Sequence, residues 1–188
     1  MARLDPRQQI LDLAEDLIRS KGYNSFSYHE ISHRLGVKNA AVHYHFPTKE
    51  VLGLEVIRSA IQRFKDFKEE TASLSLEEQL DAFIQTYSIN SENDKVCLVG
   101  AISVEFYGLP ENMTNVMRGL TRLIHDWVTN LLAMGKAEGM FAFDMKPETK
   151  ATMIITNLAA GVQIARLMGN ETFSDLIKGI KTDLGLNK

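Results

Sequence analysis

The chain has little of what would place it in several large classes. A single cysteine, Cys97, among 188 residues excludes an internal disulfide framework and fits a reducing compartment. Four prolines leave long stretches in which a helix meets no breaker. No run of apolar residues reads as long enough to span a bilayer, and the opening MARLDPRQQ has no signal-peptide core, so no membrane partner and a cytoplasmic location are expected. There is no convincing period-two alternation with hairpin signals, no internal repeat and no low-complexity segment. Neither a G-x-G-x-x-G nor a Walker pattern occurs, which removes the usual phosphate-cradling loops. A net charge of −3 excludes a protein coated in basic charge.

The charge that is present is uneven. Residues 1–50 hold seven Lys/Arg against six Asp/Glu, and four of the five histidines, whereas the remainder holds 14 against 18. That asymmetry permits a nucleic-acid surface near the N-terminus without requiring one.

Helical periodicity dominates. Asp5 and Pro6 suit the start of a first helix, Ile10, Ala14, Leu17 and Ile18 make its apolar stripe, and Gly22 ends it. Ser27-Tyr28-His29-Glu30 reads as an S-x-x-E capping box opening a second helix of about two turns, closed by Gly36. A third short helix fits Asn39 to His45 and stops at Phe46-Pro47; Thr48 caps a fourth that runs to about Glu70. Further helices are predicted at roughly 75–90, 95–108, 111–138, 147–169 and 172–185. The expected fold class is all-α, about nine helices, with a small three-helix head at 1–50 and a larger helical body at 51–188.

Two short helices joined at a glycine, behind a supporting first helix, are what a helix-turn-helix head needs. Its second helix must enter the major groove of double-stranded DNA with its N-terminal residues near base edges. Ser32 is small where the helices approach, and Ile31, Leu35, Val37 and Val42 are expected to point inward. Asn39, Ala40, His43 and Tyr44 then share the opposite face at i,i+4 spacing. Small Ala40 lets the helix sit deep, Asn39 offers an amide to bases or phosphate, and His43 and Tyr44 donate to phosphate oxygens. Lys49, at the start of helix four, is expected to clamp a phosphate. The candidate DNA contacts are Ser27, Tyr28, Lys38, Asn39, Ala40, His43, Tyr44 and Lys49.

A competing pattern overlaps this head. HEISH at residues 29–33 matches the H-E-x-x-H of zinc peptidases, with Glu30 as general base. The position of a third ligand in the longer form of that motif is Asn39, a poor zinc ligand, and Glu55 is the conceivable substitute. The capping role of Glu30 and the missing substrate cleft disfavour this alternative. No catalytic residue, metal or cofactor is expected.

The run from Ile10 to Leu52, centred on KGYNSFSYHEISHRLGVKNAAVHYHFPTKEVL, resembles the tetracycline-repressor (TetR/AcrR) family of transcriptional regulators. That family places a small-residue pair, an aromatic cluster, Phe-Pro and Ser/Thr-Lys-Glu in this order. Here these are Ala40-Ala41, His43-Tyr44-His45, Phe46-Pro47 and Thr48-Lys49-Glu50. Lys38 stands where a small hydroxyl residue is usual and His43 where a tyrosine is common, so contact roles transfer but no target sequence does. The resemblance implies a homodimeric, usually repressing regulator that a ligand releases from a near-palindromic operator. It also implies that the body both binds ligand and dimerises. Tyr87, Phe106, Trp127 and Asn157 are its candidate lining for a small apolar or aromatic effector. Leu158, Val162, Ala165, Phe173, Ile177 and Ile180, on the last two helices, are the candidate dimer interface. A DNA-binding regulator answering to a protein partner instead of a small molecule is the remaining alternative.

Overall fold

The computed structural model describes residues 5–93 and 95–186, and every regular element among them is helical. In chain order these are α1 (Pro6–Lys21), α2 (Tyr28–Leu35), α3 (Asn39–His45), α4 (Lys49–Thr71), α5 (Leu76–Glu92), α6 (Leu98–Ser103), a 3-10 turn (Phe106–Gly108), α7 (Glu111–Ala137), α8 (Pro147–Met168) and α9 (Asn170–Asp183). Local chemistry sets most boundaries. The Asp5 side chain accepts from the Arg7 N–H and Pro6 begins α1. Ser75 and Glu78 form a complete capping box at the start of α5.

One boundary departs from the sequence reading. The helix expected over 95–108 ends at Ser103, and the chain continues through a tight 3-10 turn. Glu105 is the cause: its carboxylate accepts the Asn24 N–H at 2.9 Å, while its own N–H turns back to the Ile102 carbonyl. A long-range bond of this kind has no signature in local periodicity.

The chain divides into two compact units. The first comprises Met1–Arg63 and Leu98–Leu120, the second Phe64–Cys97 and Thr121–Lys188. A boundary after residue 50 therefore does not describe it. That position lies inside α4, which has no breaker there, and the first unit adds α6 and the start of α7 to the head.

The first unit is built on Ile10, Leu17 and Ile18 of α1, Ile31 of α2, Val42 of α3, Leu52 and Ile57 of α4, and Ile102 of α6, all buried. Full burial of such side chains contributes about 1.5–3 kcal/mol each, so a head of short helices depends on this shared core. In the second unit α8 packs on α5 and α9 through Leu80, Phe83, Ile154, Leu158, Val162 and Phe173. Gly161 makes the α8–α9 approach possible, because a Cβ there would stand 3.1 Å from Phe173 Cδ2 and closer still to Leu176.

Contrary to the reading of apolar runs, α8 is by length and composition alone apolar enough to cross a membrane, the one such helix among the described residues. Its apolar residues go to two places. Ile154, Leu158, Val162 and Ala165 are buried within the unit, whereas Met153, Ile164, Leu167 and Met168 are exposed on the other face.

Candidate nucleic-acid interface

The reading head is assembled from α2, its turn and α3. Ser27 is extended and its Oγ accepts the Glu30 N–H, so α2 starts where the sequence indicates. The reciprocal half of the capping box is absent. The Glu30 carboxylate instead accepts from Lys21 at 2.6 Å and from Arg34 at 2.8 Å, and these bonds hold it below the usual carboxylate range. Gly36 closes α2 at φ +65°, the left-handed conformation that a glycine adopts without penalty. The Val37 N–H then bonds the Ser32 carbonyl, turning the chain into α3. Val37 itself is exposed, not inward as expected.

On α3, Val42 is buried and Phe46 closes the helix beneath it, which fixes the opposite face outward. Lys38, Asn39, Ala40, His43 and Tyr44 are all exposed, Tyr44 at 84%. This is the face that sequence reasoning assigned to DNA. No side chain caps the N-terminus of α3, and its first turn is exposed, as an approach to base edges and phosphates requires.

Two of the candidate contacts are occupied inside the head. Tyr28 is buried, its hydroxyl donates to the Phe46 carbonyl at 2.8 Å, and its ring meets the His43 ring edge-on at 4.6 Å. It ties the start of α2 to the end of α3. Lys49 is also turned inward. Its ammonium donates to the Phe26 carbonyl at 2.6 Å and lies 4.3 Å from the Phe26 ring centroid and 4.9 Å from that of Tyr23. In this arrangement its charge is engaged by a carbonyl and two π-faces. Ser27 remains at the surface as the α2 cap.

Burial pushes the phenols of Tyr23 and Tyr28 up to about 12; Glu50 and Glu105 add to the first, and Tyr23 to the second. An unfolded tyrosine gives up its proton near pH 10, while the folded one holds it. The stability this protects is therefore fully present below pH 10 and is lost as pH rises from about 10 to 12. Denaturant unfolding followed at pH 9, 10, 11 and 12 should show that decline. Tyr28→Phe should make it shallower, Tyr23 keeping its share, and should cost about 1 kcal/mol at neutral pH through the lost bond; an unaltered pH profile would contradict the placement.

The peptidase pattern does not converge. The His29 and His33 rings stack 6.4 Å apart on the outside of α2, and Glu30 is held by Lys21 and Arg34. Glu55, the substitute ligand, is paired with Arg7 at 2.7 Å and Arg58 at 2.8 Å. Among the described residues no three His, Cys, Asp or Glu side chains are placed to hold a metal ion.

The candidate effector residues separate. Trp127 packs against Phe64, Phe67 and Phe83 with centroids 5.3–5.9 Å apart, and Phe83 in turn meets Tyr87 at 5.4 Å. Tyr87 is buried, which pushes its hydroxyl far above its ordinary value. Phe106 belongs to the other unit, where the Arg118 guanidinium covers its ring at 5.0 Å. Asn157 is exposed on the outer face of α8. Sequence reasoning missed Thr129, whose buried hydroxyl has no hydrogen-bond partner in the second unit.

Of the candidate dimer residues, Leu158, Val162, Ala165, Phe173 and Ile180 are buried inside their own unit, and Ile177 is half-buried. They hold α8 and α9 to each other and to α5. The exposed positions of α8 include 153, 157, 160, 164 and 167, in four-three alternation, flanked by exposed Thr152, Thr156, Gln163 and Arg166.

A capped helix, a glycine turn and a second helix with an exposed polar face, borne on an all-helical chain, define a helix-turn-helix DNA-binding regulator. The family model for bacterial regulatory proteins of the tetR family matches residues 10–56, and that for the tetracyclin repressor-like C-terminal domain matches residues 76–178, more than half of the chain. The chain belongs to the tetR family of transcriptional regulators. It is similar to the HTH-type transcriptional repressor DhaR of Mycobacterium sp. (strain GP1), with 25% identity over 163 residues that cover 84% of this chain and 80% of that protein. Among solved structures, a TetR transcriptional regulator from Legionella pneumophila superposes with a TM-score of 0.87 at 26% identity, covering 98% of this chain and 100% of the other. A TetR-family regulator from Agrobacterium tumefaciens gives 0.87 at 28% identity, covering 95% and 96%.

Proposed function

We propose that the chain is a cytoplasmic, homodimeric repressor that a small apolar or aromatic effector releases from a near-palindromic operator. The observation that carries the dimer is the outward face of α8, where Met153, Ile164 and Leu167 lie in that alternation with small Ala160 between them. A second copy presenting the same face would cover it, and the two-fold relation sets two heads on two half-sites. Half-sites in successive major grooves are about 34–36 Å apart. Repression is supported by the name of the curated relative, which is a transcriptional repressor.

The effector class is supported by the aromatic cluster of Trp127 with Phe64, Phe67 and Phe83, a mostly apolar surface. Base reading rests on Asn39, exposed in the first turn of α3.

Selection of duplexes from a random pool, followed by release with small apolar and aromatic compounds, tests the whole reading. Trp127 is the sole tryptophan, so its fluorescence reports a compound entering that cluster. The selected consensus should have inverted symmetry. Asn39→Ala should relax preference at one position of each half-site, by about 1–3 kcal/mol. A consensus with no internal symmetry counts against the dimer, and an Asn39→Ala variant with the parent's preferences counts against base reading.

A further inference from the structure

We propose that Lys49 and Glu105 are positioning residues for DNA reading, holding the loop between α1 and α2 from two sides and through it setting the placement of α2 and α3. Lys49 is the first residue of α4, and its ammonium is bonded to the Phe26 carbonyl and seated on the rings of Phe26 and Tyr23. Glu105, in the turn after α6, takes the Asn24 N–H of the same loop. Gly22 stands against that carboxylate, where any Cβ would overlap Glu105 Oε1, so the loop is shaped to admit it. Within the first unit, then, an ammonium from α4 and a carboxylate from the α6 turn fix residues 22–26.

The loop leads directly into the reading helices. Ser27 caps α2 and Tyr28 bonds the Phe46 carbonyl at the end of α3, so a shift of the loop moves the capped helix and its partner together. Recognition side chains work only when their supporting contacts hold them to a fraction of an ångström. Burial lowers the affinity of Lys49 for its proton, and the Glu105 carboxylate opposes that effect, so the two charges also sustain each other. A phosphate contact displaces a counterion from DNA, whereas a positioning contact to a carbonyl and two rings does not, so the salt dependence separates the two roles.

The proposal rests on DNA reading by α3. Failure of the unsubstituted chain to enrich any duplex would therefore remove that reading before a variant is made. With a selected duplex and an unrelated one of equal length, the ratio of the two affinities is the decisive quantity, because partial unfolding lowers both alike and leaves the ratio unchanged. Lys49→Met keeps the apolar stem and removes the charge; Glu105→Leu removes the acceptor, and Glu105→Gln restores an oxygen to the Asn24 N–H. The ratio should fall about tenfold in Lys49→Met and Glu105→Leu and stay within about threefold of the parent in Glu105→Gln, with the slope of log K against log salt unchanged. If Lys49→Met instead lowers that slope by about one and weakens both duplexes equally, Lys49 is a phosphate contact and the proposal is overturned. Equal losses on both duplexes in Glu105→Leu would overturn the role of Glu105.

Discussion

Replacing Ile164 and Leu167 together by glutamate is expected to turn the proposed dimer into a monomer of half its mass and to weaken operator binding by about a hundredfold or more. Both side chains lie on the outward face of α8, Leu167 at 85% exposure, so neither is needed for the chain to fold on itself. In a two-fold contact each residue meets the same patch of the other copy, and the substitution sets four carboxylates against one another in a surface that was apolar. Loss of the contact separates two heads that otherwise act as one bivalent ligand, and the second half-site then has to be bound from free solution. Helical content and the melting behaviour of the single chain should change little.

Leu158→Glu is the instructive contrast. Leu158 is fully buried between α8 and its neighbours, so a carboxylate there should unfold the second unit instead of releasing an intact monomer. Analytical ultracentrifugation at micromolar concentration distinguishes the two results. A dimer that persists in the Ile164→Glu, Leu167→Glu variant would remove α8 from the interface and leave its apolar face unexplained.

The reading head was legible because its determinants are local. Ser27, Gly36, Pro47 and Thr48 each act within a few residues of where they stand, and the exposed face of α3 follows from Val42 alone being drawn into the core. What was not legible was the direction of side chains whose partners are distant. Lys49 follows a helix cap, where an ammonium suits a phosphate; its partner, the Phe26 carbonyl, is 23 residues back in a loop whose path no periodicity gives. Glu105 finds its partner 81 residues away and breaks a helix that its own neighbourhood favours. On α8 the difficulty was different. Apolar residues lie on both its buried and its exposed sides, so its period names a helix but not which face goes inward, and the buried set and the exposed apolar set look alike.

A second large effect, this one on stability, should come from a charge hidden between α8 and α9. Lys150, in the first turn of α8, is 2% exposed, and its ammonium is bonded to the carboxylate of Asp183 at the end of α9. The position is costly twice over, since the ammonium is desolvated and sits near the positive end of the α8 dipole. The Phe143 ring, 5.8 Å from Lys150 Nζ, offers only partial compensation and is shared with Lys136 at 4.7 Å. Asp183→Ala therefore leaves a buried cation without its counter-ion, a change that costs about 3–5 kcal/mol for a fully buried pair. Asp183 is 65% exposed, so water reaches its side of the bond and the lower end, about 3 kcal/mol, is expected. For a chain of this length that lowers the melting temperature by roughly 6–12 °C. Adding Lys150→Met to Asp183→Ala removes the stranded charge while keeping an unbranched apolar side chain, and should return stability to near that of the parent. A double variant no more stable than Asp183→Ala would show that the loss lies in the packing of α9 and not in the buried charge.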